Sequence, residues 1–293
     1  MNTTRLLQGL GSLLLFISFF GCTDHRIPSV TPGATRLRVK TITQEGSNGT
    51  SKVSAFKYDA QGRLSLIIGY QTPDSSTASL ENTIFQYDAQ NRLTQAQHSQ
   101  IRPGSYTETY TFTYNGAGQV SGLRNMPSTF GVGIQYNSAN QPSTYTKGIN
   151  VGGLLSSGSG SFTFTGNNVT ASSDLFTVTR LGEPSSAPKY GWSANTTFTY
   201  DDKINPFYGV FIIPAPGVFL PSAGVGSFGP FYTYYGGIDN KLNFSQNNVA
   251  SATDGGVVTL YSYTYNAADL PTKRVTARGN SVVETLYFEY ENY

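Results

Sequence analysis

The residues able to carry chemistry are few. Only two histidines are present, His25 and His98, and they are far apart in the chain. A histidine metal cluster or a Ser-His-Asp arrangement needs more than that, and no Asp-x-Asp-x-Asp-Gly calcium loop occurs. Asp201 and Asp202 form a carboxylate pair of the general acid and base type used in glycoside cleavage. Neighbouring residues on an extended chain point to opposite faces, however, so the pair reads as turn chemistry. Gly224-Val225-Gly226-Ser227-Phe228-Gly229 has the glycine spacing of a dinucleotide loop, but Pro230 follows and no helix opens there. No catalytic residue, metal site or cofactor is implied, and the expectation is a protein that is not an enzyme.

The elements that would have to position any site are extended. The 293 residues are 13% aromatic and 12% charged, with 32 Gly, 20 Tyr and 18 Phe. Ordinary soluble domains carry about 25% charged residues, and the shift towards Tyr, Phe, Thr and Gly favours an all-β protein. A formal net charge of +2 without a basic stripe gives no footprint for nucleic acid.

A hairpin unit recurs along the whole chain, and repeats outrank other sequence signals. Aligned on the aromatic before the turn, its copies end at Tyr58, Tyr87, Tyr114, Tyr136, Phe164, Tyr200, Phe244, Tyr265 and Tyr290. An apolar residue lies two positions earlier each time, at Phe56, Phe85, Phe112, Ile134, Phe162, Phe198, Leu242, Tyr263 and Phe288. The residue between is polar throughout, from Lys57 and Gln86 to Glu289. Such alternation sends apolar side chains to one face of a strand and polar ones to the other. Asp59, Asp88, Asn115, Asn137 and Asn266 suit the first position of a type I turn. Gly62, Asn91, Gly118, Asn140 and Asp269 tolerate the left-handed conformation that closes it. Two shorter copies, Thr165-Gly166-Asn167-Asn168 and Ser245-Gln246-Asn247-Asn248, read as two-residue hairpins.

These units predict an antiparallel meander of roughly 16–18 strands, strongly curled or closed into a barrel-like sheet. All short tips should then lie at one end. The longer connections, Thr72 to Ser79, Ile149 to Gly160 and Gly182 to Ala194, should lie at the other. An insertion rich in proline and aromatics interrupts the rhythm at about 205–237. The long-loop rim is the expected working surface. Its candidate contact residues are Tyr190, Trp192, Phe207, Tyr208, Phe211, Phe219, Phe231 and Tyr232, which could stack on a glycan or be covered by another envelope protein.

Residues 1–21 carry Arg5 and then an apolar run from Leu6 to Phe20, too short for a comfortable span and suited to a secretory signal. Cys22, the only cysteine, follows Gly21. Signal plus Gly-Cys resembles a bacterial lipobox, although Phe19 stands where leucine is usual. That resemblance implies lipidation of Cys22, a tether over 22–34, one β-meander domain over 35–293, and an outer-membrane lipoprotein held to the membrane by its N-terminal lipid. It also removes the thiol as a nucleophile.

Tyr58-Asp59-Ala60-Gln61-Gly62-Arg63-Leu64 and Tyr87-Asp88-Ala89-Gln90-Asn91-Arg92-Leu93 resemble the YD repeat of RHS-type proteins, which stack hairpins into shells. The chain as a whole is similar to a family of uncharacterised Gram-negative lipoproteins with a porin-like, many-stranded sheet. The resemblance implies architecture and carries over no catalytic residue. A lipid-facing outer-membrane pore is the rival reading, since such barrels also have short turns at one end and long loops at the other. The apolar rows fall on Phe288 and Tyr290 rather than on the parity of the terminal Tyr293, which favours a water-soluble sheet.

Overall fold

A computed structural model describes residues 37–46, 49–73, 81–100, 107–126, 131–151, 153–184, 190–208 and 241–293. The segments expected to be signal and tether, with Cys22, lie outside them, as do Phe211, Phe219, Phe231, Tyr232 and the Gly224–Gly229 stretch. Sixteen strands form one antiparallel meander: β1 Leu37–Glu45, β2 Ser51–Tyr58, β3 Leu64–Thr72, β4 Glu81–Tyr87, β5 Leu93–Gln100, β6 Thr107–Tyr114, β7 Val120–Met126, β8 Gly131–Tyr136, β9 Pro142–Val151, β10 Leu154–Thr165, β11 Asn168–Arg180, β12 Tyr190–Ile204, β13 Asn247–Asp254, β14 Val257–Tyr265, β15 Pro271–Arg278 and β16 Ser281–Asn292. Each pairs with its sequence neighbours, and β1 pairs with β16 to close the barrel.

The turn chemistry forms as the residue types dictate. Gly62, Asn91, Gly118, Asn140 and Asp269 all have positive φ, between 57° and 79°. At the first turn the Asp59 carboxylate accepts from the Gln61 amide at 3.0 Å and the Arg63 amide at 2.9 Å. Asp88, Asn115, Asn137 and Asn266 repeat the arrangement. The ladder register slips by one residue beside each of these turns, as between Lys57 and Tyr58, so the extra residue forms a bulge.

The alternation resolves into an apolar inside and a polar outside. Phe56, Phe85, Phe112, Ile134, Phe162, Phe198 and Phe288 are buried within the barrel. Each is worth about 1.5–3 kcal/mol of burial. Lys57, Gln86, Thr113, Gln135, Thr163, Thr199, Thr264 and Glu289, one residue further on, are exposed on the outer surface.

The pre-turn tyrosines have a second task that composition does not reveal. Tyr58, Tyr87, Tyr114 and Tyr136 donate their hydroxyls to the carbonyls of Val39, Leu64, Leu93 and Val120, at 2.7, 2.8, 2.7 and 2.8 Å. Tyr290 donates to Pro271 at 2.8 Å, and Tyr200 donates to Val169. Each hydroxyl thus reaches the preceding strand near its first residues, tying neighbouring hairpins together around the tip end. Burial pushes the Tyr200 hydroxyl up to about 12, which keeps it protonated as a donor. Three copies depart: Phe164 and Phe244 have no hydroxyl, and Tyr265 bonds Asp201 instead.

Arginine adds a second stitch. Arg63 pairs with Asp59 at 2.7 Å and lies 4.6 Å over the Tyr87 ring; Arg92 pairs with Asp88 and lies 4.9 Å over Tyr114. At the closure seam Arg38 bonds Glu291 at 2.7 Å and stacks 4.0 Å over Tyr58, taking the place of the repeat arginine.

Three expectations need correction. The seventh copy, at Phe244, is not a hairpin. β12 runs on to Ile204 and pairs directly with β13, so the insertion occupies a tip connection. Lys241–Phe244 is a short 3-10 turn whose Asn243 and Phe244 are buried inside the barrel. The two-residue turn at Gly166-Asn167 does form, with φ 57° at Gly166. Second, the far end does not hold only long connections. β13–β14 and β15–β16 are joined there through Gly255-Gly256 and Gly279-Asn280, and Ile149 to Gly160 is mostly strand. Those dipeptides supply the positive φ of tight turns, as at Gly255 (55°), Gly256 (84°) and Gly279 (57°). Third, the insertion leaves at the tip end, where β1 also begins, and not at the rim that carries Tyr190.

Candidate functional site

Of the predicted contact residues, the four that are described, Phe207, Tyr208, Tyr190 and Trp192, do not come together. Phe207 is buried at the tip end, 6.2 Å from Phe288, where it fills the core; Tyr208 follows it there, half-buried. Tyr190 and Trp192 lie at the opposite end, at the start of β12. Phe207 is inside because Asn205 turns the chain inward. Its side chain accepts from the Phe207 amide at 3.0 Å and donates to the Ser245 carbonyl at 3.1 Å.

What does assemble is a shelf on the inner wall of β9–β12 near the far mouth. Backbone register places Lys147, Gly158, Phe176 and Trp192 in one row, and Tyr145, Gly160, Asp174 and Ala194 in the next. Phe176 and Ala194 are buried, so both rows face inward. The two glycines leave the floor of β10 open for their neighbours. A Cβ at Gly160 would stand 2.4 Å from the Tyr145 ring, and one at Gly158 would stand 2.9 Å from the Lys147 stem. Tyr145 crosses that floor to donate its hydroxyl to Asp174, and the Lys147 ammonium lies 5.7 Å over the same ring. Phe176 and Trp192 meet at 6.1 Å with a 35° tilt. The mouth edge stays open: Trp192 is 41% exposed and Tyr190 is 76% exposed.

Tyr190 and Trp192 were legible in the sequence as aromatics near a long loop. Phe176, Lys147 and Asp174 were not, because they belong to other strands and only the register joins them. The Gly-x-Gly step at 158–160, with Tyr145 and Lys147 at matching spacing, is the one signal that could have found them. The shelf offers flat apolar surface edged by polar groups.

The other chemical candidates resolve into structural roles. Asp201 accepts from the Lys203 amide at 3.0 Å and from the Tyr265 hydroxyl. Asp202 projects into solvent with its side chain 88% exposed, so the two carboxylates diverge; both lie in β12 rather than in a turn. Lys203 pairs with Asp269 at 3.2 Å, which raises its pKa. His98 lies within β5 and is buried inside the barrel. Its Nδ1 meets the Thr83 hydroxyl at 3.0 Å, and its Nε2 lies 3.2 Å from Glu81. That hydroxyl–imidazole–carboxylate series lies beyond the reach of a substrate, since Thr83, His98 and Glu81 are each at most 3% exposed. Arg274 is buried against Glu284, and burial lowers its pKa. Among the described residues no group of three or more His, Cys, Asp or Glu is placed to hold a metal.

No family model and no curated protein matches the chain. Among solved structures it is similar to a porin-like protein from Bacteroides uniformis, with TM-score 0.50 and 13% identity over 86% of this chain and 98% of that one. A porin-like protein from Bacteroides vulgatus aligns over the same shares with TM-score 0.38 and 10% identity. The TcdB2-TccC3-Cdc42 structure aligns over 86% of this chain and 14% of that one, with TM-score 0.32 and 13% identity. At these identities the first likeness speaks to fold, a many-stranded barrel closed on itself.

Proposed function

We propose that this chain is a lipid-tethered barrel of the cell envelope that works as a non-catalytic binding module, holding a glycan at the far mouth. The observation that carries the reading is the β9–β12 shelf. Trp192 and Tyr190 are open to solvent there, Phe176 packs against Trp192, and Lys147 stands in the same row as Trp192. Exposed aromatics with one apolar face and a wet edge suit the C–H faces and hydroxyls of sugars. Tethering rather than spanning is supported by the outer face, where Lys57, Gln86, Gln135 and Glu289 stand where a spanning barrel needs an apolar band of about 25 Å. With β1 beginning at the tip end, a tether before it leaves the shelf facing away from the membrane.

The test is binding of purified 23–293 to a polysaccharide panel, with Trp192→Ala beside the wild type. The expected result is retention on at least one glycan and a loss of about tenfold or more in the variant. Absence of retention across the panel, or equal retention by both proteins, overturns the reading. A stoichiometric protein captured in place of a glycan would give the site to a partner protein.

A second reading, an outer-membrane pore, draws on the closed sixteen-strand barrel and its likeness in fold to a porin-like protein. Replacing Cys22 with alanine and washing membranes with urea separates the two. Release into the soluble fraction supports the tether; retention with the membrane supports the pore.

A further inference from the structure

Between the two roots of the insertion and the wall of β14–β16 lies a cavity of about 20 Å³. Asn205, Phe207 and Asn243 line it from the roots; Tyr263, Arg274 and Phe288 line it from the wall. Asn243 is 1% exposed, and its Nδ2 has no hydrogen-bond partner. A buried amide donor left unmet costs about 1–3 kcal/mol, and native interiors seldom leave one so. We infer that this cavity is a built site for a single ordered water, which accepts from Asn243 Nδ2 and donates to the Tyr263 hydroxyl oxygen.

Size, polarity and charge each narrow the guest. A cavity holds one water once it offers roughly 10–15 Å³, so the space suits one molecule and no organic ligand. The guest must be an acceptor, because the amide nitrogen and the guanidinium on the two sides are both donors. It must also find an acceptor of its own. Tyr263 supplies one: its proton goes to the Val249 carbonyl at 3.1 Å, while its lone pairs remain. Burial raises the Tyr263 pKa well above its ordinary value, which keeps that proton in place. A halide meets the first requirement and fails on charge. Glu284 already balances the buried Arg274, and a second anion beside that pair would stand unmatched. A cation is refused by the donors themselves.

The site has a mechanical meaning. Asn205 and Asn243 belong to the two ends of the insertion, and neither is part of a strand. Ser245 already ties the roots to β11, its hydroxyl accepting from the Val169 amide at 3.0 Å. The water supplies the corresponding link to β14, on the other side of the roots.

The test is a high-resolution crystal structure of the full mature chain with three treatments. The expected result is one water-sized peak within about 3.2 Å of Asn243 Nδ2 in the untreated crystal. That peak should be absent from Asn243→Leu, whose side chain removes the donor and fills the space. An empty cavity in the untreated wild type overturns the inference. So does an anomalous peak there after a bromide soak, which would make the site a halide site. Xenon taken up under pressure also overturns it, since that marks a dry apolar void. The wild-type arms decide the matter even if Asn243→Leu fails to fold.

Discussion

Replacing Tyr87 with phenylalanine isolates the stitch that joins one hairpin to the next. The ring stays, with its packing and the Arg63 guanidinium 4.6 Å above it; only the hydroxyl that donates to the Leu64 carbonyl at 2.8 Å is lost. Leu64 is 1% exposed, so its carbonyl has poor access to water as a substitute. A typical intramolecular hydrogen bond contributes about 0.5–1.5 kcal/mol net, and stranding a buried acceptor raises the cost towards about 1–3. The expected destabilisation of Tyr87→Phe is therefore about 1–2 kcal/mol. In a domain of this size that lowers Tm by roughly 2–8 °C, at about 2–4 °C per kcal/mol. Urea unfolding of residues 23–293 measures it, with the midpoint shifting and the slope unchanged. A loss under about 0.3 kcal/mol, reproduced at Tyr114→Phe, would refute the reasoning. The pre-turn aromatics would then act through their rings alone, and the recurrence of tyrosine would have no account in the ladder.

The converse change, Phe164→Tyr, places a hydroxyl where the other copies carry one and should stabilise by about 0.5–1.5 kcal/mol in the same urea assay. Gly160→Ala drives a methyl into the Tyr145 ring 2.4 Å away and should cost about 1–3 kcal/mol, with loss of the Tyr145–Asp174 contact visible in a crystal structure. The carboxyls of Asp59 and Asp88 face some burial, which raises a carboxyl pKa, but hydrogen bonds from the Arg63 and Arg92 amides and guanidinium groups outweigh it. Both pKa values fall below 3.8. A depressed folded-state value means stabilisation that is present above pH 3.8 and disappears as pH falls through the lower folded value. Urea midpoints of wild type and Asp59→Asn should therefore differ most at neutral pH and converge in acid; a gap that is constant with pH would contradict the linkage.

How much of this was legible depends on the range of the interaction. The Asp59 to Gly62 turn is local, and residue type alone names its φ, its cap and its bulge. Alternation at Phe56-Lys57-Tyr58 places the faces, and its repetition gives the meander; closure itself is read from the β1–β16 pairing. The hydroxyl ladder was hidden because Tyr58 and Val39 meet across two strands, and nothing near either residue marks the pairing. Copy counting failed at Phe244 because a 3-10 turn can present the same apolar–polar–apolar order as a strand over three residues. The shelf escaped for the same reason as the ladder. Lys147 and Trp192 are joined only through the registers of three successive strand pairs, which depend on turn lengths the sequence leaves open at Gly152-Gly153 and 181–189.

Closure sets Leu37 opposite Asn292, so the ends of the barrel are neighbours in space although 292 − 37 = 255 positions apart in sequence. Every other strand pair joins strands consecutive in the chain. The β1–β16 seam alone must wait for the whole polypeptide, and loop-closure entropy makes it the slowest pairing to find. Nothing about the ring requires the break to fall there. A circular permutant that links Asn292 to Leu37 and opens the chain at Gly279-Asn280 keeps the sixteen pairings. It hands the final zippering step to β15 and β16 and turns the seam into an ordinary hairpin.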